Sequence, residues 1–158
     1  MSASDGKAAL RLWLRLLACS TAVEREAGRR FRAVFGSTLP RFDLLSALDR
    51  AGEAGLSMGE AASRLRVTNG NVTGLARRLE ADGLVERLAG PDRRVQRLRL
   101  TARGRTRFAA MAAAHEDWIG ALFAGLDADE IEKLGGGLER ARRSIRSALR
   151  EEAIHEGA

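Results

Sequence analysis

Two short stretches hold the residues whose types and spacing could do chemistry. The first is Asn69, Gly70, Asn71 and Thr73, at the start of a helical period. The second is Asp92, Arg93 and Arg94, in a turn between two alternating segments. Neither looks catalytic. The only histidines are His115 and His155, the only cysteine is Cys19, and no catalytic constellation appears. The side chains suit recognition. An Asn amide can pair bidentately with adenine, and a Thr can meet a phosphate or a thymine methyl group. Gly70 allows close backbone approach. Two arginines at a ribbon tip, one oriented by an acid, suit a narrow minor groove of high negative potential. Each feature also has a plainer account, as a polar helix start or a solvated hairpin tip.

The elements that must position these residues are legible around them. Ser57 and Glu60 have capping-box spacing, and the helix they open carries Ala61, Ala62 and Leu65. Arg66 and Val67 make a turn, and Thr68 is suited to cap a second helix. Val72, Leu75, Ala76 and Leu79 recur at i, i+3, i+4 and i+7, which predicts one buried face, and Gly83 ends the helix. A short helix, a tight turn and a second helix with small polar residues in its first turns form a helix-turn-helix. Residues 84–88 and 95–100 then read as strands. Leu98 and Leu100 alternate with Arg97 and Arg99, predicting one buried and one solvated face. Gly90-Pro91-Asp92 is turn chemistry. A basic-tipped ribbon directly after a helix-turn-helix makes a winged helix the better account of both.

The run TNGNVTGLARRLEADGLVER followed by PDRRVQRLRLTARG resembles the winged helix-turn-helix of MarR-type transcriptional regulators. Asp92-x-Arg94 with Leu100-Thr101 is the most specific part, and STLPRFDLLSAL resembles the helix that precedes the motif. The resemblance covers roughly Thr38 to Gly104. It implies a mainly α fold with a winged helix-turn-helix over 37–101, and dimerisation helices over 1–36 and 102–158. It further implies a homodimer acting as a repressor on palindromic double-stranded DNA, released by a small aromatic or lipophilic anion. The DNA-contacting set would be Ser57, Thr68, Asn69, Gly70, Asn71, Thr73, Arg77, Asp92, Arg93 and Arg94. Gly74 departs from the family, many of whose members carry Arg there. The ligand pocket would draw on Trp13, Leu17, Phe42, Met111 and His115, with Arg15 or Arg41 meeting the anion. Some relatives sense oxidants through an N-terminal cysteine, which makes Cys19 a redox alternative to a plain core residue.

The flanks read as long helices. One is expected from about Ala8 to Val34, after a frayed 1–7, with Leu10, Trp13, Leu14 and Leu17 in one stripe and Leu12 and Leu16 off it. Ser37 or Thr38 caps a helix carrying Pro40, Phe42, Leu45 and Leu48. A loop is expected over 51–55, and Leu56 as a minimal strand. Thr101 caps a helix to about Phe123, with Phe108, Met111, His115, Trp118 and Leu122 on one side. The last helix starts near Asp127 or Asp129. Its apolar positions are Ile131, Leu134, Leu138, Ala141, Ile145 and Ala148, the three-four alternation of a helix-helix seam. Gly135–Gly137 interrupt that seam.

Composition bounds the rest. The 158 residues include 27 basic and 21 acidic side chains, a net charge of +6. Residues 1–37 hold 7 basic against 3 acidic residues, 38–101 hold 11 against 8, and 102–158 hold 9 against 10. The positive charge therefore sits in the first two thirds, as expected of a segment facing a polyanion. One cysteine permits no internal disulfide and no Cys-rich zinc site. No metal is expected for want of ligands, and no cofactor is expected; LGGGLER is not a phosphate loop, since it lacks the Lys-Ser/Thr and the preceding strand. No signal peptide or long apolar span is visible, so a cytoplasmic location with no membrane partner is expected. A winged helix serving only as a protein-interaction module is the competing reading; the arginine tip and the Asn-rich helix start argue against it. An enzyme is a distant third.

Overall fold

The computed structural model describes residues 3–65, 69–89 and 96–156. Among these the fold is mainly α, as expected: six helices and one three-stranded antiparallel sheet. The order is α1 (Ala3–Phe35), α2 (Leu39–Ala51), β1 (Leu56–Ser57), α3 (Met58–Leu65), α4 (Asn69–Ala81), β2 (Val85–Ala89), β3 (Gln96–Leu100), α5 (Ala102–Leu122) and α6 (Ala128–Glu156). Contacts divide the chain into two compact units, residues 1–119 and 120–158.

In the first unit, α1 begins at Ala3, five residues before the periodicity predicts. Gly6 alone, at a cost of about 1 kcal/mol, does not stop a helix that Ala8 and Ala9 favour. Thr38 caps α2, its Oγ1 accepting from the Arg41 N–H at 3.4 Å, with Pro40 tolerated in the first turn. The 51–55 segment is not an open loop. α2 runs to Ala51, and Gly52–Ala54 form a single 3-10 turn into β1.

The sheet order is β1-β3-β2, with Leu56 opposite Leu98 and Val85 opposite Leu100. Leu98 and Leu100 are buried, as the alternation predicts. Their neighbours are not simply solvated. Arg97 donates to the carbonyls of Ala54 and Gly55 at 2.8 and 2.9 Å, and Arg99 pairs with Glu86 and Glu53. The core joins Phe31 of α1, Leu44, Leu45 and Leu48 of α2, Leu56, Val72, Leu79, Leu98 and Met111, all almost fully buried. Thr101 starts α5, accepting from the Gly104 N–H at 2.9 Å. Gly104 sits so close to the Leu84 carbonyl that a β-carbon would collide with it.

In the second unit, Asp127 and Glu130 form a reciprocal capping box at the start of α6, with bonds of 2.8 and 3.0 Å. The helix is continuous through Gly135–Gly137. Ile131, Leu134, Leu138 and Ile145 are each at least half exposed.

Candidate nucleic-acid interface

The site is built from α3 upward. The Ser57 N–H donates to the Glu60 carboxylate at 2.7 Å, and the Glu60 N–H donates to Ser57 Oγ at 3.2 Å, completing the expected capping box. The bond from the Ser57 backbone, helped by Arg97 nearby, holds the Glu60 carboxyl below its ordinary range. Ser57 is thus engaged in starting α3.

α4 presents the reading face. Val72, Ala76 and Leu79 are buried and Leu75 half-buried, which leaves Gly70, Asn71, Gly74, Arg77 and Arg78 exposed and Thr73 half-buried. Gly70, Thr73 and Arg77 follow one helical row; Asn71, Gly74 and Arg78 follow the next. Asn69 opens the helix. Thr68, Asp92, Arg93 and Arg94 lie outside the described residues, as does the side chain of Asn69. Arg78 is a residue that sequence reasoning missed, although its seven-residue spacing from Asn71 could have found it. With Pro40, Gly70, Asn71, Gly74 and Leu75 it lines a surface groove of about 370 Å³.

The end of α4 is fixed in two ways. Gly83, at φ +68°, donates to the Glu80 carbonyl and Leu84 to the Leu79 carbonyl, both at 2.9 Å, a Schellman stop. Glu80 in the last turn also accepts a two-pronged ion pair from Arg87 of β2, which in turn donates to Gln96 at the start of β3. The reading helix and the base of the hairpin are therefore one mechanical piece.

The residues expected around a ligand fall into three places. Phe42, Met111 and His115 belong to the aromatic core: His115 lies 5.5 Å from the Phe31 ring and 4.9 Å from Phe42, centroid to centroid. Arg41 lines a separate cleft, 3.6 Å from Asp82. Trp13, Arg15 and Leu17 are exposed on α1. Leu17 and Trp13 stand roughly 21 and 27 Å along the helix axis from Phe31, at 1.5 Å per residue. One chain does not bring them to the aromatic cluster. Cys19 is also exposed.

The arrangement matches known proteins. A sequence model described as MarR family covers residues 35–95. The uncharacterised HTH-type transcriptional regulator YdgJ of Bacillus subtilis is 30% identical over 124 residues, spanning 78% of this chain and 74% of that protein. The transcriptional activatory protein BadR of Rhodopseudomonas palustris is 38% identical over 102 residues, 63% of this chain and 57% of BadR. Among solved structures, a MarR family transcriptional regulator from Silicibacter pomeroyi superposes with a TM-score of 0.79 at 29% identity. That match covers 91% of this chain and 99% of that one. The relatives are regulators rather than enzymes, in keeping with the absence of any catalytic pattern in the sequence. The chain belongs to the MarR family of winged-helix transcriptional regulators.

Proposed function

We propose that this regulator acts as a homodimer that reads an imperfectly palindromic operator with α4 and the hairpin tip, represses from it, and is released by a small anionic ligand. The observation that carries the dimer is a pair of uncovered apolar stripes. Leu10, Trp13, Leu14 and Leu17 on α1 are 46–57% exposed, and Ile131, Leu134, Leu138 and Ile145 on α6 are 50–58% exposed. Covering the exposed half of such a side chain contributes roughly 1 kcal/mol each, and contiguous apolar surface of this kind marks an interface. A two-fold dimer places two reading helices about one DNA turn, ~34 Å, apart, and so calls for inverted half-sites. A dimer seated over a promoter excludes other proteins, which makes repression the expected sign. Among the described residues no helix is long and apolar enough to cross a membrane, which suits work on DNA in the cytoplasm.

Sedimentation tests the reading. The protein should run at twice its 17.1 kDa chain mass. Leu14→Glu combined with Leu138→Glu should give a helical monomer that loses tight operator binding. A monomeric variant with undiminished operator affinity would overturn it.

A further inference from the structure

Two arginines on the exposed side of α4 have no partner within the chain. The carboxylates they could reach on their own helix are Glu80, three residues after Arg77, and Asp82, four residues after Arg78. Both are already engaged from elsewhere. Glu80 is held by Arg87 at 2.7 and 3.0 Å, and Asp82 by Arg41 at 3.6 Å. Among the described residues neither Arg77 nor Arg78 makes an ion pair. Arg78 instead lines the groove of about 370 Å³, together with Pro40, Gly74 and Leu75. A helical side chain leans towards the turn before it, which brings the stem of Arg78 back towards Gly74.

Gly74 stands at the centre of that face. Val72, Ala76 and Leu79 are buried, and at about 100° per residue the direction opposite them falls between Gly70 and Gly74. A β-carbon at Gly74 would have nothing within 4 Å. The packing of this chain therefore gives no reason to omit one, and alanine would suit the helix better. The result is a space with an apolar floor, Leu75 and Pro40, and a guanidinium at one end. The only apolar group that a base edge shows in the major groove is the thymine methyl, and an arginine fork matches guanine O6 and N7. We propose that Gly74 and Arg78 together read a thymine–guanine step. The methyl group enters the space over Gly74, and Arg78 donates in pairs to the neighbouring guanine. Arg78 starts about 6 Å further along the axis, and its lean back brings the two features to adjacent base pairs.

The inference rests on the reading of α4 as the helix that enters the major groove, and adds which bases it prefers there. A pool of random duplexes is selected on the full chain, and the selected duplex is rebuilt with each thymine in turn replaced by uracil, which lacks only the methyl group. One thymine per half-site, beside a guanine, should be sensitive, with binding about fourfold weaker per methyl group lost. Gly74→Ala places a methyl group of the protein where that of thymine would lie. It should weaken binding to the thymine duplex by a similar factor, leave the uracil duplex bound as the parent binds it, and raise the melting temperature. A merely structural role for Gly74 would lower the melting temperature and treat both duplexes alike. Arg78→Ala should weaken the selected duplex about tenfold and remove the preference for that guanine. The proposal is overturned if no thymine is sensitive to loss of its methyl group, or if Gly74→Ala weakens both duplexes equally. Should Asn71→Ala still relax one base position in that event, α4 remains the reading helix and this inference alone falls. A pool that yields no shared motif overturns the inference and the reading together.

Discussion

Glu80 and Arg87 clasp the reading helix to the hairpin: Nε donates to Oε1 at 2.7 Å and Nη2 to Oε2 at 3.0 Å. A planar fork on a carboxylate fixes an angle as well as a distance. Arg87 also donates to Gln96 at 2.8 Å, so both strands at the base of the hairpin share the same anchor. Arg87→Ala should therefore blur the angle between α4 and the arginine tip. Both side chains are about 30% exposed or less, and with solvent screening the pair is worth about 1 kcal/mol, roughly fivefold in operator affinity. Random-sequence DNA should be affected less. The exchange Glu80→Arg with Arg87→Glu should recover most of the loss, whereas an equal loss on all DNA would assign Arg87 to the phosphate backbone.

Gly104 allows the first turn of α5 to lie against Leu84, just before β2. A methyl group there meets the Leu84 carbonyl oxygen and carbon, which are backbone atoms and cannot swing aside. Gly104→Ala should destabilise by about 1–3 kcal/mol, the usual cost of overpacking, read as a lower melting temperature. A melt unchanged within error would mean that α5 shifts freely, and its neighbours are not the rigid platform described.

Ser57→Ala removes one half of the capping box that starts α3, and should cost about 1 kcal/mol. Glu60 responds to acid in a defined direction. Its folded carboxyl is held below the ordinary value by the Ser57 N–H, so its contribution is present above that value and is lost as pH falls through the lowered one. In Ser57→Ala the backbone donor remains, so most of this acid sensitivity should persist, and a pH–stability profile checks it.

Asp43 behaves in the opposite sense. Burial raises its carboxyl above the ordinary aspartate value, against the opposing pull of His115 and Arg50. A raised folded value means the folded state holds its proton longer than the unfolded one. Stability therefore declines as pH rises from 3.8 through the raised value. Asp43→Asn should melt above the parent at neutral pH, and the gap should close towards acid. A gap that widened in acid would reverse the assignment.

These cases also separate what the sequence could show from what it could not. The Ser57–Glu60 box, the Gly83 stop, the Thr38 and Thr101 caps and the buried row of α4 involve partners a few residues apart, so spacing alone reveals them. Arg97 and Arg99 look like the wet side of a strand because alternation reports only which face is apolar. Their partners, Ala54, Gly55 and Glu53, lie 42–46 residues away, and folding alone brings them together. The candidate ligand residues show where spacing stops. Periodicity places Trp13, Phe42 and His115 on apolar faces without saying that Phe42 and His115 stack on Phe31 while Trp13 stands far along α1. Arg103 and Arg107 do not stand out in the sequence, because a charge on a helix is unremarkable until a cleft collects it.

The central claim is that two copies of α4 read inverted half-sites, and sequencing the genomic fragments retained by the purified, untagged protein tests it most directly. The enriched fragments should share two inverted half-sites whose centres lie about one helical turn, 10–10.5 base pairs, apart. Substituting Asn71 should relax the preference at one base position in each half-site, at about 1–3 kcal/mol on the operator. Fragments enriched without any shared inverted motif, or a single unrepeated half-site bound as tightly by the protein as the full sequence, would contradict the account.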